Sequence, residues 1–399
     1  MMPINKRLKR ELKKNFAKYF FIGLVLFMGI TIISAFFTAT DGIMSTIESQ
    51  QSDCNIEDAN VTLVSQLSDD NISRLHEIGI NDLEDTSYCD VTALDDSDYT
   101  MRVFRVRDSV DKLSLIEGEL PANDKQIVLE SKTASAKDLS VGDEIDVDGK
   151  NYTLSGIVAV VDYNNVLQTV SSGVSNLKTF GLGFVSKQAF DGLDSAKMTI
   201  QYSLTAEDEQ SIDDAYNYLM DEKIAVNILK QSDNPRIKSI SDKTNTLKAE
   251  VTLISVVFVL LMVFIFYAMT SASVEKDSNL IGTFFSMGYT RWEIIQHYVR
   301  LPLIITLIGS VLGMITGSLL FAEPIGKITY STYSLPTFSG KVNLYLIIMC
   351  CVIPLIIQFI INCLLLAKKL KTTPALLMRG KGKSGKGFKK VNLSKFSFP

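Results

Sequence analysis

The sequence predicts an α-helical membrane protein with four transmembrane helices, arranged one then three, and a large α+β extracytoplasmic domain between the first and second helices. Three observations carry this prediction. Four stretches free of Asp, Glu, Lys, Arg and His reach spanning length: residues 19–40 (22 residues), 251–274 (24), 301–322 (22) and 342–367 (26). Each crosses ~30 Å of hydrocarbon as a helix. The formal net charge of −4 divides into +6 over residues 1–40, −21 over 41–250 and +11 over 251–399, so the mean conceals three differently charged regions. Between the first two apolar stretches lie about 210 residues that alternate short β-type runs with polar helical ones. A disordered chain is excluded by the 47% hydrophobic content, and a transmembrane β-barrel by spans that are apolar throughout instead of alternating.

Residues 1–18 form a basic N-terminus with Lys6, Arg7, Lys9, Arg10, Lys13, Lys14 and Lys18, and residues 368–399 a basic tail with ten Lys or Arg and no acid. Cationic flanks stay on the cytoplasmic side, so both termini are expected there, in a multi-pass protein of the cell membrane. Residues 275–300 then form a cytoplasmic loop and 323–341 an external one. The first stretch is longer than the apolar part of a signal peptide, with no A-x-A site before Asp41, and reads as an uncleaved anchor. Its basic flank reads as an orienting contact with membrane lipids, not as a nucleic-acid site.

In the domain of residues 41–250, Met101 to Val106, Gln126 to Leu129 and Tyr152 to Val161 read as strands and Ala206 to Met220 as a helix. Val141 to Lys150, with alternating Ile145 and Val147 before Asp148-Gly149, predicts a β-hairpin. Asp143, Glu144, Asp146 and Asp148 lack the order of an EF-hand loop, and the chain's two histidines, His76 and His297, fall on opposite sides of the membrane. No catalytic, cofactor or metal set is read in this chain. Cys54 and Cys89 are the extracytoplasmic cysteines and the candidate disulfide pair, with the oxidised and free states both left open.

The apolar stretches carry no ionisable relay, which argues against a self-powered secondary transporter. Gln358 and Asn362 share a helix face and read as hydrogen-bond glue. Gly309, Gly313 and Gly317 form a small-residue ridge for helix packing, within or between chains. In the cytoplasmic loop, Leu280 to Met287 has helical spacing and Gly288 is placed to end that helix. Thr290 and Glu293 form a capping box that opens a second helix running into the third span. Trp292 and Tyr298 are candidates for the headgroup layer.

The run Ile281-Gly282-x-x-x-Ser286-x-Gly288, followed by Thr290-Arg291 and Ile294, resembles the cytoplasmic signature of FtsX-like or MacB-like ABC transporter permeases. Thr373-Pro374-Ala375-Leu376-Leu377-Met378-Arg379 resembles that family's terminal element. Glu117-Gly118, Leu120-Pro121, Ile127 to Leu129 and Val141 to Asp143 resemble its periplasmic core domain. Glu275-Lys276-Asp277 stands where the family has a basic-acidic run. Gly380 to Lys386 has the spacing of a phosphate loop, but Gly387 replaces the required Ser or Thr.

The resemblance implies a membrane permease subunit that is not itself an enzyme. A separate cytoplasmic ABC ATPase dimer, holding ATP and Mg, would drive the extracytoplasmic domain through a stalk at Ile237 to Glu250, for export or extraction of a peptide, lipoprotein or drug. The alternative is a ligand-sensing receptor or a regulator of a cell-wall hydrolase, without transport. The implied coupling residues are Ile281, Gly282, Phe284, Phe285, Gly288, Thr290, Arg291 and Glu293. The implied partners are the ATPase and a second permease module, supplied by a homodimer or a paired subunit. The tail Lys389 to Pro399 resembles the linker of longer two-module permeases.

Overall fold

The computed structural model describes residues 10, 12–94, 96–194, 197–336, 340 and 342–370. In chain order its elements are α1 (Phe16–Cys54), β1 (Ala59–Leu63), α2 (Asp69–Ile78), β2 (Ile80–Asp85), β3 (Tyr88–Ala93), β4 (Asp96–Arg105), β5 (Ser114–Gly118), β6 (Gln126–Glu130), α3 (Ser131–Ala136), β7 (Glu144–Val147) and β8 (Lys150–Ala159). They continue with β9 (Phe180–Val185), α4 (Lys187–Asp191), β10 (Met198–Ala206), α5 (Glu209–Asp221), β11 (Ala225–Lys230), α6 (Pro235–Lys276), α7 (Ser278–Ser286), α8 (Arg291–Thr316), α9 (Ala322–Thr329), α10 (Leu344–Ile347) and α11 (Ile353–Lys369). The chain divides into two units: Met1–Ala35 with Val251–Phe321 and Val342–Pro399, and Phe36–Glu250 with Ala322–Lys341.

Among the described residues, four helices are long and apolar enough to span a membrane: Phe16–Cys54, Pro235–Lys276, Arg291–Thr329 and Leu344–Lys368. The first three run beyond the charge-free stretches at both ends. The helix of α1 persists past Thr40 because Ile43 and Ile47, one turn apart, bury themselves with Ile240, Tyr330 and Leu335. The third spanning helix opens at the Thr290 cap, passes through a π-helical stretch at Gly317–Phe321 and continues as α9. The residues of α9, of which 323–329 fall in the expected external loop, are therefore helical. Their apolar Ala322 and Ile325 keep helical spacing while Glu323 and Lys327 pair at 2.7 Å on the outer face. In the fourth, the π-helical stretch Ile348–Val352 stands just before Pro354, whose missing N–H cannot close an ordinary helical turn.

The other unit has two lobes. In the first, β11-β1-β10-β2 form an antiparallel sheet, and α2 and α5 cover one face through Leu75, Ile212, Ala215 and Leu219. In the second, β3 pairs with β4, β4 with β9, β9 with β6, β6 with β8, β8 with β7, and β7 returns to β3 through Ala93 and Val147. These six strands thus close into a ring, and β5 pairs with β8 outside it as an exposed edge strand. Alternate residues point inwards: Met101, Val103, Ile127, Leu129, Ile145 and Leu154 share one core, while Phe104, Val128, Leu182 and Phe184 belong to a second core on the outer face. The expected hairpin is β7 with β8, in register Val147↔Lys150, with Asp148 and Gly149 at φ 55° and 74° in the turn.

Candidate functional site

The cytoplasmic-loop sequence folds as a helix, a corner and a helix. α7 carries Ile281 and Gly282 on its buried side, where Ile281 joins Val274, Ile294, Ile295, Tyr298 and Leu366. Gly288 follows at φ +88° with nothing near its missing Cβ, so backbone handedness alone requires glycine there. Thr290 then caps α8. Its hydroxyl accepts the Glu293 N–H at 3.3 Å, and Glu293 Oε2 accepts the Thr290 N–H at 2.8 Å and its hydroxyl at 2.9 Å. These bonds from Thr290 hold the Glu293 carboxyl below its ordinary range.

The two phenylalanines expected to reach outward do not stand free. Phe284 and Phe285 are half-buried against the cluster around Ile281, and Phe284 meets Tyr289 edge-on at 5.5 Å. Their spacing points them at the spans because Ile281, Phe284 and Phe285 share one face of α7. The outward face is formed by Thr283, Ser286, Met287 (59% exposed), Arg291 and Trp292. Tyr298 is buried, and its hydroxyl donates to Asp277 at 2.9 Å, so it is held inside the fold.

The glycine ridge of α8 packs against α1 of the same chain. A Cβ at Gly313 would lie 2.8 Å from the Phe27 carbonyl, one at Gly317 would fall on the Thr31 carbonyl and Ser34 Oγ, and one at Gly309 would meet Leu26 Cδ2. Ser34 fastens the crossing by donating to the Met314 carbonyl at 3.1 Å. Between α6 and α11, Thr270 donates to Asn362 Oδ1 at 2.7 Å, and Asn362 donates to the Gln358 carbonyl at 2.9 Å.

Three sets of residues in the unit of Phe36–Glu250 with Ala322–Lys341 are not legible in the sequence. Residues between α9 and α10 clasp the loop after β8: Ser334 N–H donates to the Asn164 carbonyl at 2.7 Å, Asn164 Nδ2 donates to the Ser334 carbonyl at 2.8 Å, and the Val160 N–H donates to Ser334 Oγ at 3.1 Å. Asn164 Nδ2 also reaches Gln50 of α1 at 3.0 Å. Two arginines hold the same loop, with Arg102 and Arg236 both donating to the Gln168 carbonyl and Arg102 bidentate on Asp90 at 2.7 Å. Finally, Arg107 is buried among Glu57, Asp111 and Asp162, with 2.6 Å to Asp162. Burial, then the neighbouring acids, raise the pKa of Glu57 and raise that of Asp111 strongly. None of these residues has a periodicity or motif; chain positions as far apart as 57, 107 and 162 meet only in the fold.

Cys54 and Cys89 are separate free thiols. Cys54, at the end of α1, lies 3.1 Å from Ser114 Oγ, whereas Cys89 sits within the strand ring and reaches the Asp194 carbonyl at 3.8 Å. The candidate pair is not bridged in this structure, the two side chains belonging to different packing environments. The terminal element Thr373 to Arg379, the glycine-lysine run Gly380 to Lys386 and the tail Lys389 to Pro399 lie outside the described residues.

The stretch that carries the membrane part of α6, the α7 corner, the α8 ridge and α11 is similar to a known family. Residues 252–375 match the model of the FtsX-like permease C-terminal family. The FtsX-like stretch therefore takes in the last three spans and the corner between α7 and α8. No curated protein sequence gives a significant match. Among solved structures, the extracellular domain of the ABC-type transporter YknZ from Gram-positive bacteria is similar at 14% identity, covering 42% of this chain and 100% of that one, with a TM-score of 0.28. The periplasmic region of MacB from Actinobacillus actinomycetemcomitans is similar at 10% identity, covering 49% of this chain and 92% of that one, with a TM-score of 0.28.

Proposed function

We propose that this chain is the membrane permease subunit of an ABC system of the FtsX/MacB type, passing ATP-driven motion from a separate cytoplasmic ATPase dimer to its extracytoplasmic domain. The observation that supports this reading is the corner inside the FtsX-like stretch: a short helix whose inner face is packed on the spans and whose outer face presents Met287, Arg291 and Trp292. A partner pressing on that outer face would tilt α7 and α8 together, since Ile281, Ile294 and Ile295 share one cluster. On the opposite side of the membrane the motion would enter the domain through α1 and α6, paired by Lys248 on Asp41 at 2.6 Å, and through the Ser334–Asn164 clasp. ATP and Mg belong to the partner. A second copy or a paired subunit completes the permease, and the cargo is a peptide, lipoprotein or drug handled at the outer face.

The test is affinity purification of the tagged full chain from its native membrane, followed by identification of co-purifying proteins and vesicle transport. An ABC ATPase at matching stoichiometry, with ATP-dependent movement of cargo, is the expected result. Co-purification with a wall hydrolase and ATPase but no transport would replace export by regulation. Absence of any ATPase would overturn the reading.

A further inference from the structure

We propose that a cleft between the chain preceding α1 and the end of α6 is a binding site for the phosphate headgroup of an anionic lipid. The cleft has a volume of about 400 Å³ and is lined by Arg10, Lys14 and Lys18 on one side and by Lys276, in the last turn of α6, on the other. Among the described residues none of these four cations forms an ion pair. Four cations against one carboxylate leave the cleft with a net positive charge, and a bound anion offsets the repulsion among them. The carboxylate that lines the cleft, Asp277, accepts the Tyr298 hydroxyl at 2.9 Å. Asn15 and Tyr19 add polar groups to the same wall.

A lipid fits better than an acidic protein surface because the cleft opens where the apolar span begins. Phe16, Phe20 and Phe21 of α1 stand 59%, 58% and 64% exposed, with Phe16 and Phe20 stacked at 5.7 Å. A headgroup held by the cations would lay its acyl chains beside these rings, satisfying charge and apolar surface with one molecule. This inference uses only the membrane-spanning architecture and stands independently of the permease reading.

The experiment is native mass spectrometry of the full-length protein in detergent, titrated separately with phosphatidylglycerol, phosphatidylcholine and inorganic phosphate. Wild type is expected to retain phosphatidylglycerol in preference to phosphatidylcholine. Each cation removed should weaken retention about fivefold, so the triple substitution R10Q/K14Q/K276Q should weaken it about a hundredfold. The charge-preserving pair K14R/K276R should retain the lipid, and Lys276→Gln alone should show the single step if the triple variant melts early. Equal retention of both lipids by wild type, or unchanged phosphatidylglycerol binding in the triple variant, would overturn the assignment. Displacement of the lipid by an equal concentration of inorganic phosphate would reassign the cleft to a free phosphate group.

Discussion

At the scale of single residues, the corner separates side chains that hold the fold from those that meet a partner. Phe284 covers Tyr289 and the Ile281 cluster, so Phe284→Ala should cost about 1–2 kcal/mol of local stability. Met287 is 59% exposed, and Met287→Asp should change the melting temperature of the purified chain little while reducing ATPase co-purification severalfold. Equal loss of ATPase in both variants, tracking thermal stability, would show that Met287 is not a contact. Gly288 makes a different prediction, because its φ of +88° is strained for any L side chain though the space is open. Gly288→Val should cost roughly 1–2 kcal/mol at the corner and uncouple ATP hydrolysis from function while part of the ATPase association survives, read by ATPase assay and pull-down together. The glycine and the Thr290–Glu293 box are legible in sequence, since each is a local backbone requirement. Which aromatic faces outward is not, because that depends on the neighbouring spans.

At the scale of elements, the α8 ridge shows how a small-residue pattern gains meaning only from what lies opposite it. The spacing of Gly309, Gly313 and Gly317 leaves the partner helix open; the structure makes it α1. The three positions are not equivalent. Gly309 faces the far end of Leu26, which can rotate away, whereas Gly313 and Gly317 face backbone carbonyls of Phe27 and Thr31. Alanine at Gly309 should therefore be mild, and alanine at Gly313 or Gly317 should cost about 1–3 kcal/mol through forced separation of the helices. Thermal unfolding in detergent orders them, and a Gly309 variant as damaging as the other two would contradict the packing. The same logic explains what sequence shows of the fold. The four spans, the β7–β8 hairpin and the α5 helix follow from local patterns. Ring closure through Ala93 and Val147, and the helical continuation after Phe321, depend on partners far along the chain.

At the scale of the whole molecule, the strongly negative domain of residues 41–250 hides one arginine among three acids, and this sets a pH dependence of definite sign. Glu57 and Asp111 have raised pKa values in the folded chain, first because they are buried and then because acids crowd them. The folded state thus holds protons that the unfolded state releases. Stability from these groups is complete below the ordinary carboxyl range and is lost as pH rises through their raised values, with a slope of about 1.4 kcal/mol per pH unit for each retained proton. Glu84 acts oppositely. Although burial opposes it, hydrogen bonds from Ser109 and Asp108 hold its pKa down, so its contribution is present above the ordinary range and lost as pH falls. The two contributions therefore run in opposite senses as pH changes. Glu57→Gln should remove much of the alkaline decline. The amide can still accept from Asn60 and Asn234 and can donate to Ser203, whose hydroxyl has Thr86 as a second neighbour. Hydrogen-exchange mass spectrometry of the full chain, following peptides that cover residues 55–63 and 105–112 between about pH 5 and 8 and corrected for intrinsic exchange, measures this directly. Protection that falls with pH in wild type and stays level in Glu57→Gln is expected, and identical profiles in the two proteins would mean that Glu57 is ionised throughout.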